Sequence, residues 1–172
     1  METFLTFFTG FGIATGLWGI IHMVMRYKLE REKFVFEKLH RKRIDVIEET
    51  YKKIVDVQDK IASYMSPLQL TGEKSKEEKA REAAEAANSF MKYFFYHKIY
   101  FDKNLADKID SLLNKYWNIW IKFQYRIEMR DLGKPDIEEW IKIFEELKTD
   151  IPVLKEDIEG EFRKIIGIKN ET

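Results

Sequence analysis

The chain contains no cysteine. That excludes a disulfide framework, cysteine zinc sites and a thiol nucleophile together, and it is consistent with a reducing compartment. Only three prolines occur among 172 residues, at 67, 135 and 152, so long helices have few obligatory breaks. Net charge is zero, so no overall field draws the chain to nucleic acid. Strand-like alternation and low-complexity tracts are both missing. The expectation is an all-α protein: an N-terminal transmembrane helix continuing into a long cytoplasmic helix, packed in a four- to five-helix antiparallel bundle.

Glycine is scarce as well, with eight in all, yet Gly10, Gly12, Gly16 and Gly19 crowd into "GFGIATGLWGIIH". Within a helix in water each would cost about 1 kcal/mol relative to alanine. The surroundings explain the choice. From Phe4 to Met25 there is no Asp, Glu, Lys or Arg. A helix of that length spans roughly 33 Å, against a hydrocarbon thickness of about 30 Å. A cleaved secretory signal would carry a basic start and a small-residue cleavage site, and this segment has neither.

Orientation follows from charge. Between Arg26 and Arg43 eight Lys/Arg face three Glu, a local excess of five positive charges. Positive residues stay on the cytoplasmic side. The organisation expected is therefore residues 1–26 as a signal-anchor with its N-terminus outside, 27–65 as a juxtamembrane helix, and 66–172 as the remaining cytoplasmic helices. On a helical wheel Thr9, Gly12, Gly16, Gly19 and Met23 share one narrow face, with Phe4, Phe7, Phe11 and Trp18 opposite. Gly12 and Gly16 form a GxxxG pair. In lipid, helices attract chiefly through close packing, and small residues permit it. Thr9, Gly12, Gly16 and Gly19 are thus the expected association face, for a second copy or another membrane helix.

Beyond the anchor, an apolar stripe runs His40, Ile44, Ile47, Tyr51, Ile54, Gln58, Ile61, Met65 and Leu68, which suits a coiled coil or a bundle face. Val46, Val55 and Val57 widen it towards a bundle. Ser75-Lys-Glu-Glu78 is a capping box that starts a second helix. Asp102 is the expected N-cap of a third helix, Lys103–Leu132, with Leu105, Ile109, Leu112, Tyr116, Ile119, Trp120, Phe123 and Ile127 inward. Gly133 ends it. A fourth carries Ile137, Trp140, Ile141, Phe144 and Leu147. Pro152 marks a kink or a fifth helix, with Leu154, Ile158, Phe162, Ile165 and Ile166.

The motifs of common enzyme classes are missing. No glycine-rich phosphate loop, GxSxG or HExxH occurs. Glu37-Lys-Leu-His40 has the spacing used in di-iron bundles, but those need a second such motif and two further Glu. The neighbouring Lys38, Arg41, Lys42 and Arg43 would also repel a cation. No catalytic residue, metal or cofactor is expected. One stretch stands out, "SFMKYFFYHKIYF" from 89 to 101. Lys92, Tyr93, Tyr96, His97, Lys98 and Tyr100 interleave aromatic and basic groups there, as a site stacking on a nucleotide would. The plainer reading makes Phe90, Phe94 and Phe95 core, rimmed by tyrosines.

The sequence thus points to a non-enzymatic, membrane-anchored interaction or assembly module on the cytoplasmic face. Its expected partners are the bilayer, its own copies and a cytoplasmic protein, without nucleic acid. The alternative is an oligomeric membrane effector gated by a small signalling nucleotide, for example in prokaryotic antiviral defence.

Overall fold

The computed structural model describes residues 2–66, 71–133 and 137–168, with the side chains of 2–17, 19, 20 and 128–131 excluded. Among them there is no strand. The elements are α1 (Glu2–Met65), α2 (Lys76–His97), a 3₁₀ turn (Lys98–Tyr100), α3 (Lys103–Asp131) and α4 (Ile137–Ile166). The chain divides into two compact units, 1–42 and 43–172.

The second unit is the bundle. Its topology is legible from side-chain bridges at successive heights. Lys53 reaches Ser89 at 3.0 Å and Lys60 reaches Glu82 at 2.8 Å, so α2 runs against α1. Arg43 pairs with Asp102 at 3.4 Å, and the amide of Gln124 donates to the Tyr64 hydroxyl at 3.1 Å, so α3 runs with α1. On α4, Glu159 accepts from Tyr51 at 2.9 Å, while the Trp140 indole donates to the Met65 carbonyl at 3.2 Å. That makes α4 antiparallel to α1. The result is an up-down-up-down bundle of four helices.

Helix ends follow the chemistry of their residues. Ser75 and Glu78 form the capping box, at 3.2 Å and 3.0 Å. Lys76 then donates to the carbonyls of Tyr64 and Ser66, both at 2.8 Å, and so closes the end of α1. Asp102 caps α3 through the Leu105 amide at 2.9 Å. Gly167, at φ 81°, lets the Ile168 amide return to the Arg163 carbonyl at 2.9 Å, a Schellman ending that a side chain would strain.

Three expectations need correction. Pro152 begins no fifth helix: it lies inside α4. Pro152 and Lys148 are both exposed, so water can satisfy the carbonyl that the missing N–H leaves free. The buried stripe of α1 is Val46, Ile47, Thr50, Ile54, Val57, Ile61, Tyr64 and Met65. It is turned towards Val46 and Val57, leaving Ile44, Tyr51 and Gln58 at its edge; Leu68 lies outside the described residues. In α4, Ile137 and Ile141 are exposed and Ile143 and Ile151 are buried instead.

The expected transmembrane helix is not supported by the described residues. Among them no helix is long and apolar enough to cross a membrane. From Arg26 onward α1 carries a charge every two or three residues, while the side chains of 4–17, 19 and 20 in the charge-free run are not among those described. Thr9, Gly12, Gly16 and Gly19 fall in that same part.

Candidate functional site

The aromatic stretch turns the corner from α2 into α3. Phe90 and Phe94 are fully buried, and Phe101 is nearly so. Helical spacing stacks the rest. The rings of Tyr93 and His97 lie 4.0 Å apart, and His97 and Tyr100 follow at 6.1 Å. His97 Nδ1 sits 2.8 Å from the Tyr93 carbonyl. A carbonyl only accepts, so Nδ1 holds the proton and Nε2 is the nitrogen left for other contacts.

The corner is less basic than its sequence. Lys98 is half-buried and pairs with Asp110, with its ammonium 5.4 Å from the centre of the Phe94 ring. Tyr93 lies under Lys53, at 5.3 Å. Burial, followed by the charges of Glu49 and Asp45, pushes its phenol above the usual tyrosine range. Lys92 and Tyr96 are exposed. Of the six residues singled out in the sequence, Tyr93, His97 and Tyr100 therefore form one stack. Lys98 belongs to an ion pair, and Lys92 and Tyr96 stand in solvent. Among the described residues an anion would meet little free positive charge here, because Lys98 is paired with Asp110 and Lys53 with Glu49.

Phe95 corrects the plainer reading too. It is exposed rather than core, and it belongs to a feature that periodicity did not reveal. A cleft of about 410 Å³ opens between α1, α2 and α3, where Ala84, Ala87, Met91 and Phe95 face Trp117 and Trp120. Small residues in the first half of α2 oppose tryptophans on α3, and that mismatch in size leaves the space. The pairing of alanines with distant tryptophans is a tertiary fact, which is why a local pattern could not display it. The volume lies within the range of small-molecule sites. Tyr116 also lines the cleft, and its buried hydroxyl has no hydrogen-bond partner among the described residues. Burial, with a smaller contribution from Asp59, pushes that phenol well up, so it stays protonated.

No group of three or more potential metal ligands occurs among the described residues. His40, from the Glu37–His40 pair, stacks on Phe36 at 6.0 Å. Comparison with family models, with curated proteins and with solved structures returns no match.

Proposed function

We propose that the chain is a membrane-anchored, non-enzymatic assembly module, with residues 4–25 in the bilayer and the 43–172 bundle displayed on the cytoplasmic face. The observation that carries this reading is the 22-residue charge-free run followed directly by the basic stretch 26–43. Thr9, Gly12, Gly16 and Gly19 supply the face on which anchors approach one another. The bundle presents apolar surface at Met91, Phe95 and Trp117 to a cytoplasmic protein.

The ligand-gated effector is the second reading, and the cleft between α2 and α3 favours it only with an apolar ligand in place of the signalling nucleotide. A cleft walled by Met91, Phe95, Trp117 and Trp120 suits a largely apolar ligand better than a phosphate.

A reporter fused after Thr172 should be active on the cytoplasmic side of the membrane, and activity on the outer side would overturn the orientation. Association is tested by a membrane two-hybrid assay. Gly16→Ile puts a branched side chain into the middle of the seam and should weaken the signal by about 1 kcal/mol or more in association energy. Leu17→Ile, roughly 100° round the helix, should matter much less. Equal behaviour of the two would remove the glycine seam from the account.

A further inference from the structure

Large apolar side chains scattered singly over a surface need no explanation. Around the α2–α3 cleft they are gathered. Met91 and Phe95 stand one turn apart on α2, and Trp117 and Trp120 one turn apart on α3, so each helix offers the cleft a continuous apolar edge. Met91, Phe95 and Trp117 keep 44%, 61% and 63% of their surface, so the rest of the described chain does not cover them. Trp120 is anchored: its ring packs 5.3 Å from that of Tyr64, which holds one wall in place. Ala84 and Ala87 keep the α2 wall low and leave the space of about 410 Å³.

Two features select what fills it. The first is charge. Among the described residues Asp110 is the one charged side chain lining the cleft, and Lys98 already pairs with it. An anion would find no cation there, and an organic cation no free carboxylate. Burying either without a partner is costly, so the fitting occupant is neutral. The second is Tyr116. It is 3% exposed, and its hydroxyl meets no hydrogen-bond partner among the described residues. Buried tyrosine hydroxyls ordinarily have one, and a buried donor left unpaired is expensive. The phenol keeps its proton and can donate it, so the complementary group is an acceptor such as a carbonyl. Asn88 and Asn114, exposed at the rim, can hold a further polar end.

We propose that the cleft binds a small, neutral, aromatic molecule carrying a carbonyl or similar acceptor. Its rings lie between Met91 and Phe95 of α2 and Trp117 and Trp120 of α3, and its acceptor takes the Tyr116 hydroxyl. Aromatic rings suit these walls because their faces and edges attract one another beyond simple burial. The volume fits a small molecule. The proposal deepens the ligand-gated reading by naming the ligand class, and it rests on that reading for what the bound molecule does. The site itself lies wholly within unit 43–172.

Benzophenone is a probe of this class: neutral, aromatic and built round a carbonyl. Under near-ultraviolet light it inserts covalently into neighbouring C–H bonds. Isolated membranes carrying the full chain are irradiated with it over a range of concentrations, and the adducts are mapped by mass spectrometry. Adducts should concentrate and saturate on the cleft-lining stretches of α2 and α3, Met91 above all. Ala87→Phe, which fills the space, should lower them several-fold and leave adducts elsewhere unchanged. Tyr116→Phe, which keeps the ring and removes only the donor, should do the same, as should Trp117→Ala at its exposed position. Even labelling along every apolar helix, or cleft labelling that ignores these substitutions, overturns the proposal. Chemical crosslinking of the same membranes tests the gated reading separately. Saturated cleft labelling with an unchanged oligomer distribution shows failure of gating alone.

Discussion

Phe94 and Phe95 are adjacent in sequence and opposite in environment. A helix turns about 100° between neighbours, so one ring fills the core while the other stands 61% exposed at the cleft. Phe94→Ala should therefore destabilise the bundle by about 3–5 kcal/mol. Phe95→Ala should change it by no more than about 0.5 kcal/mol. Urea titration followed by circular dichroism separates these outcomes, and equal losses would mean that Phe95 is covered. Composition alone could not divide the pair, because "FF" in an aromatic run has no phase until its neighbours pack. The same holds for Val46 and Val57, which lie at the centre of the α1 stripe, and for Lys98, whose charge is committed to Asp110, twelve residues on.

At the scale of elements, local chemistry was readable where it is self-contained. The Ser75–Glu78 box, the Asp102 cap and the Gly133 and Gly167 stops involve residues within one turn, so sequence displays them whole. Ser75→Ala should cost about 1 kcal/mol, measured as a shift in urea midpoint. Pro152 was misleading because proline forbids a hydrogen bond, not a direction; on an exposed face α4 runs through it.

Between elements, bridges set a pH response. Lys60 and Lys74 hold the Glu82 carboxyl down at about 2, against a usual 4.5. On α4, lysines of α3 act in the same direction: Lys122 and Lys115 lower Glu146, and Lys115 lowers Asp150. Lys108, followed by Lys164 of α4 itself, lowers Glu161. A carboxyl lowered on folding stabilises the fold above its unfolded value and loses that contribution as pH falls towards the folded one. Stability should thus decline from about pH 4.5 downwards. Lys60, Lys108 and Lys115 are raised in turn. Their contribution is present at neutral pH and fades only as pH climbs through the raised values. Urea midpoints measured across pH would contradict these assignments if they stayed level below pH 4.5.

For the whole molecule, fold class was the most legible property, because period, scarce proline and absent alternation all point one way. For function, the sequence supports a proposal about location and assembly and nothing finer. The cleft was hidden because it arises between helices distant in sequence, and the stacked corner lost its expected basic character to a long-range ion pair. Unit 43–172 has its own buried core. A chain beginning at Phe34 should therefore stay in solution, remain strongly helical and unfold cooperatively. A noncooperative melt would mean that its apolar faces need the first unit.

The measurement that bears most directly on the central claim is partition of the full chain and of this shortened chain after alkaline carbonate washing of cell membranes. The account predicts the full chain in the membrane pellet and the chain beginning at Phe34 in the supernatant. Recovery of the full chain in the supernatant would contradict it.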